Sequence, residues 1–245
     1  MLLRMGWAIL GGALIVFDQG SRLRVVTQSD HAHFAAELLT LWPAGGLPEH
    51  PRREEILFAT REHDNGWREA DAAPRVDVAR ARPHDIFSFP QSERLQVWSR
   101  GISRHSETHP FATLLIAEHA RVIHQPLTSD WVELFANLEP RRSHWLDEAG
   151  IDEPTLQRDY RFVQLADTLS LALCTGEPRP FQCLEFTARV KENVLHLEPF
   201  PLAAATTFRV PCRWIPQRPY RRDLGLGKEL AKAPWQYLEV RVVPA

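Results

Sequence analysis

Apolar residues recur at helical spacing in five stretches of the chain, about 30–42, 52–65, 108–123, 129–149 and 154–174. Leu14 to Phe17 and Leu23 to Thr27 flank the turn-forming stretch Asp18-Gln-Gly-Ser-Arg22 and read as a hairpin. After Leu184 the period is again that of strands: Leu184 to Val190, Val194 to Glu198, Thr206 to Trp214 and Tyr237 to Val243, separated by Pro-rich turns. Residues 68–90, rich in Pro and Asp, read as a long loop ending in Phe87-Ser-Phe89. The pattern predicts an α+β fold, mostly helical over 28–180, with a small antiparallel sheet formed by the N- and C-terminal strands (14–27 and 184–243). It predicts a single domain over 14–245, with residues 1–13 as an N-terminal extension.

Three of the helical rows are interrupted by ionisable side chains. His31 shares a row with Ala35, Leu38 and Trp42, whereas His33 falls on the opposite side with Glu37 and Thr40. His63 shares a row with Ile56, Thr60 and Trp67, and Asp64 lies one step round the helix. Asp167 is the only charge in the row Tyr160, Val163, Leu171 and Cys174. A buried carboxylate costs several kcal/mol unless it is paired, protonated or bound to metal. Three intrusions on three helices therefore call for one shared explanation, either a metal ion or polar residues that satisfy one another. A shared ion requires Asp167 to lie within about 6 Å of a His63 nitrogen, because ligands sit near 2 Å from the metal.

His119, at i+4 from Leu115 and i+8 from Phe111, adds another imidazole on an apolar row. It is either a core histidine or an assistant to the site, as a ligand of a second metal or as a proton donor to a leaving group. Asp71, shortly after Gly66-Trp67, is either a solvated loop residue or a further catalytic group. Asp30 reads as an N-cap, and Pro110 as the start of a helix that leaves His105 and His109 on the preceding loop.

A His, a later His-Asp pair and a much later Asp on a helix resemble the HD superfamily of metal-dependent phosphohydrolases. The phrases Gln28-Ser-Asp-His-Ala32, His63-Asp-Asn-Gly-Trp67 and Ala166-Asp-Thr-Leu-Ser-Leu171 also resemble an uncharacterised bacterial family of unknown function, over about residues 14–243. The resemblance implies an HD-like helical core in which His31, His63, Asp64 and Asp167 hold a divalent metal. Imidazole and carboxylate donors suit Mn, Fe, Zn or Ni, as one ion or two. The implied activity is hydrolysis of a phosphorylated small molecule by metal-activated water. Other expectations within that resemblance are a non-catalytic ligand- or partner-binding domain and a di-iron oxygenase of the same fold. The Gly-Tyr-Pro phrase of cyclic-dinucleotide hydrolases is missing, and Phe87 to Val122 holds only scattered Arg.

Composition narrows the partners. A formal net charge of −2 argues against a dedicated nucleic-acid binder. The apolar run from Met5 to Phe17 is shorter than the roughly 20 residues that span a bilayer, and no small-x-small cleavage site follows it. The expectation is a cytoplasmic protein without stable membrane insertion, whose first 13 residues are an extension or follow from a misplaced start codon. Cys174, Cys183 and Cys212 lack zinc-ligand spacing and read as reduced, packing residues. The partner expected is a small-molecule substrate, and the sequence does not set the oligomeric state.

Overall fold

A computed structural model describes residues 14–85, 87–177 and 179–245; the expected extension at 1–13 lies outside the described residues. The chain opens with a hairpin, β1 (Leu14–Asp18) and β2 (Arg22–Thr27), and passes directly into α1 (Gln28–Thr40). Next come α2 (Arg53–Glu62), a 3₁₀ turn (Asn65–Trp67), α3 (Arg68–Ala72) and the two-residue strands β3 (Val76–Asp77) and β4 (Arg82–Pro83). Four longer helices follow: α4 (Gln91–Ser103), α5 (Pro110–Ile123), α6 (Ser129–Ala149) and α7 (Glu153–Thr175). Then come β5 (Phe181–Cys183), β6 (Phe186–Lys191), β7 (Val194–Glu198), β8 (Thr206–Pro216), α8 (Asp223–Lys232) and β9 (Gln236–Pro244).

The sheet corrects the expected fold. It is not a small antiparallel sheet of terminal strands but a seven-stranded mixed sheet, in the order β1-β2-β8-β9-β7-β6-β5, which draws β5, β6 and β7 from the stretch directly after α7. The β7–β9 pair is parallel, with Val194 opposite Arg241 and Leu195 opposite Val242. A parallel pair needs a crossover connection, and β8 with α8 provides it. Alternation along a strand reports which face is buried but not which neighbour it pairs with, so hairpins are visible in sequence while this long-range pairing is not.

Helix α4 was not expected, because its polar majority includes Arg94, which is buried and donates to the Phe89 carbonyl at 2.8 Å. Helix α8 was not expected either; it contains two glycines and buries only Leu226 and Leu230. The helical row expected to run on to Trp67 stops at His63, the C-cap of α2, and Trp67 packs instead with Phe89 and Val97.

Helices α1 and α7 lie against one face of the sheet. Phe34 of α1 meets Phe208 of β8 edge-on at 5.4 Å, and Trp42 meets Phe186 of β6 at 5.1 Å. On the other face, Leu226 and Leu230 of α8 cover Leu14, Leu23, Val25 and Ile215. The first hairpin is thus buried on both sides, with Ile15 and Val26 pointing into the larger core. Among the described residues no helix is long and apolar enough to cross a membrane.

The turn after α2 is pressed onto α4 through two glycines. A Cβ on Gly66 would lie 2.2 Å from the Val97 carbonyl oxygen and 3.2 Å from Gly101 Cα. Asn65 locks the same contact, donating Nδ2 to the carbonyls of Glu62 at 2.8 Å and Gly101 at 3.2 Å. Because the obstacle is backbone, Gly66→Ala is expected to cost about 3 kcal/mol, lowering Tm by roughly 5–10 °C in thermal unfolding followed by circular dichroism. Gly225→Ala, in α8 with no atom within 4 Å of the added Cβ, is expected to leave Tm unchanged or slightly higher.

Candidate metal centre

Four segments deliver five ionisable side chains to one buried point. His31 stands in the first turns of α1, whose start is set by Thr27: its Oγ1 accepts the Asp30 amide at 3.0 Å and donates to Asp30 Oδ2 at 2.6 Å. Thr27, not Asp30, is therefore the N-cap. His63 caps the end of α2, and Asp64 leaves the helix with φ −105° and ψ 17°. His119 comes from the middle of α5 and Asp167 from the middle of α7.

The separations are short. His31 Nε2 lies 3.0 Å from Asp167 Oδ1 and 3.7 Å from Asp64 Oδ2. His63 Nε2 lies 3.3 Å from Asp167 Oδ1 and 3.4 Å from Asp64 Oδ2. His119 Nε2 lies 4.0 Å from Asp167 Oδ2. Donors about 2.1 Å from a common ion can be at most about 4.2 Å apart, so every one of these pairs is compatible with a shared cation. Two triads share His63: one with His31 and Asp167, the other with Asp64 and His119.

Hydrogen bonds on the outer side of the rings decide which nitrogens face inward. His63 Nδ1 is 2.6 Å from the Thr60 carbonyl, which can only accept, so Nδ1 carries the proton and the neutral ring presents a bare Nε2. Ser170 donates its hydroxyl to the Asp167 carbonyl at 3.0 Å and so accepts from His31 Nδ1 at 2.9 Å, leaving His31 Nε2 bare as well. Two lone pairs then face carboxylate oxygens, and His63 Nε2 is buried with no hydrogen-bond partner among the described residues. That arrangement repels itself unless a proton or a metal cation sits between the groups. The residues present fit a divalent cation, and the all-imidazole-and-carboxylate set suits Zn, Mn, Fe or Ni.

Charge is distributed accordingly. Burial opposes a charge on His63, but Asp64 and Asp167 outweigh it and hold a proton on this ring well above the ordinary histidine range. Burial likewise works against ionised Asp167, yet the imidazoles of His31 and His63, within 3.3 Å, keep its carboxyl well below the usual carboxylate range. For His119 burial outweighs the pull of Asp167 and Asp64, which His63 and His31 oppose, and lowers the ring to about 4, so it is neutral at pH 7. Its Nδ1 is 3.1 Å from the Tyr160 hydroxyl, which can donate to that nitrogen or accept from it. The whole cluster is buried, with 9 % exposure for the Asp64 side chain and 7 % for Asp167 against 0 % for His63.

Other candidates lie elsewhere. Asp71 is outside both triads: its Oδ2 accepts the Gln28 amide at 2.9 Å at the start of α1. His105 pairs with Glu62 at 3.1 Å, His109 stacks on Phe58 and His124 on Trp131. Thr60, Ser170 and Tyr160, which orient the three imidazoles, were not picked out as site residues from sequence. Each nevertheless left a signal: Thr60 and Ser170 lie three residues from a cluster member, and Tyr160 shares the row of Asp167.

Residues 14–217 match the model of a family described as "Protein of unknown function (DUF3891)", and the chain belongs to that family. All five cluster residues fall inside the matched region. No curated protein and no solved structure matches the chain.

Ser170→Ala removes the acceptor that fixes the His31 tautomer without touching an inward-facing atom. The expected result is metal affinity about 10–100-fold weaker, read by competition with a chromophoric chelator, with the far-ultraviolet circular dichroism unchanged.

Proposed function

We propose that this protein is a metal-dependent hydrolase of the HD type, acting on a phosphorylated small molecule. The observation that carries the reading is the inward-facing Nε2 of His63: the ring is held at Nδ1 by the Thr60 carbonyl, and Nε2 lies within 3.4 Å of two carboxylates with no hydrogen-bond partner among the described residues. His31, His63, Asp64 and Asp167 would hold the ion. A divalent metal bound there would supply Lewis-acid polarisation and water with a pKa lowered to about 7.

The chain's own side chains do the rest. Thr60 and Ser170 hold two imidazoles in the tautomer that offers Nε2 inward. The buried rings of His31, His63 and His119, with the buried carboxylates of Asp64 and Asp167, shield the inner space from water. The low pKa of His119, about 4, supports a ligand's role over that of a proton donor at neutral pH. The order His, His-Asp, Asp, with His31 and Asp167 on helices and the His63-Asp64 pair at the end of one, supports the HD resemblance.

A second reading is a two-ion oxygenase of the same fold, for which His119 adds a fifth donor beside the four that would hold a single ion. Elemental analysis of tag-free protein separates these readings from a metal-free one: the wild type is expected to hold near-stoichiometric divalent metal, and a folded His63→Ala/Asp64→Ala variant none. The loaded protein is then expected to release phosphate from small phosphoesters at least a hundredfold faster than the double variant. Metal binding with oxygen consumption and no phosphate release would favour the oxygenase instead.

A further inference from the structure

A second cavity, which none of the cluster residues lines, lies between α3, the start of α1 and α8. Its volume is about 440 Å³, inside the range of about 300–1,000 Å³ typical of small-molecule sites. Leu14, Val25 and Leu230 form apolar walls, Trp235 lies at the edge, and Asp71 and Arg213 bring opposite charges. Arg68 also lines it, with its Nη2 shared between both oxygens of Glu62 at 2.9 and 2.7 Å.

Asp71 and Arg213 are left incompletely matched. The Asp71 carboxyl is held by the backbone amides of Gln28, at 2.9 Å on Oδ2, and Ser29, while Oδ1 is buried with no matched hydrogen-bond partner among the described residues. Arg213 donates Nη1 to the Leu230 carbonyl at 3.0 Å and stands 3.9 Å over the Trp235 ring, while its buried Nε has no partner. Unsatisfied buried polar atoms are costly, and a pair of opposite sign around an apolar cavity is complementary to a ligand with both charges and an apolar body.

We propose that this cavity binds an apolar α-amino acid as its zwitterion. The ammonium meets Asp71, the carboxylate meets the Arg213 guanidinium, and the side chain lies against Leu14, Val25 and Leu230. Burial already holds the Asp71 carboxyl well above its ordinary range, the direction expected of a carboxyl that lacks a cationic partner. Asp71 also caps α1 three residues before His31, so the cavity borders the helix that carries one of the cluster imidazoles. The inference does not depend on the hydrolase reading.

Isothermal titration of the full-length protein with L-phenylalanine and L-leucine tests it. 3-Phenylpropionate and L-phenylalaninamide serve as probes that each lack one charged pole. The expected result is saturable one-site binding of at least one amino acid, and binding at least tenfold weaker for both single-pole probes, about 1.4 kcal/mol per pole. Asp71→Asn is expected to remove the preference for phenylalanine over phenylpropionate. Gly227→Phe, on the cavity lining at a position where an added Cβ meets no atom within 4 Å, is expected to abolish binding while the protein stays folded. Absence of saturable binding of both amino acids to folded protein would overturn the proposal. So would binding that survives Gly227→Phe unchanged, or phenylpropionate binding as tightly as phenylalanine.

Discussion

Two imidazole nitrogens, Nε2 of His31 and of His63, are turned onto carboxylate oxygens at 3.0 and 3.3 Å, and the groups behind the rings prevent either from turning away. Neutral rings in these tautomers would set lone pair against lone pair in a site from which water is nearly excluded. Something positive must therefore occupy the inner space. A proton on His63 meets the requirement in the absence of metal, and a divalent cation meets it more fully because it can engage several donors at once. Removing one member of such a buried charged group typically costs about 3–5 kcal/mol, so the cluster is at once a candidate reaction centre and a constraint on the helices around it.

The architecture serves that constraint. Helices α1 and α7 are laid side by side on the sheet by aromatic contacts such as Phe34 on Phe208, which brings His31 and Asp167 together. The His63–Asp64 pair arrives differently, from the frayed end of α2, where the chain leaves the helix and presses Gly66 onto α4. Asp64 can therefore reach the same point as His63, which a regular helix would not allow for adjacent residues facing about 100° apart. His119 comes across from α5, with Tyr160 of α7 behind it.

Much of this centre was legible in the sequence because burial of an ionisable residue leaves a mark in a periodic pattern. His31, His63 and Asp167 each broke an apolar row, and His119 stood in another. The orienting groups were harder to see. A backbone carbonyl such as that of Thr60 has no sequence signature, and a serine like Ser170 is as common on a helix for local back-bonding as for holding a ring. The sheet was legible strand by strand but not in its order, since the parallel β7–β9 pairing joins segments about 40 residues apart in the chain, a contact that local alternation does not encode. Helix α4 was hidden by Arg94, whose buried guanidinium finds its partner in a loop carbonyl.

The requirement for a positive charge between His31, His63, Asp64 and Asp167 can be tested by counting protons as metal enters. Chelator-treated protein is titrated at pH 7 with zinc or manganese by calorimetry in two buffers of different ionisation enthalpy. The account predicts saturable binding accompanied by release of about one proton, the one held on His63, because metal ligands must be deprotonated. Failure of the folded protein to bind either ion, or binding without proton release, would contradict it.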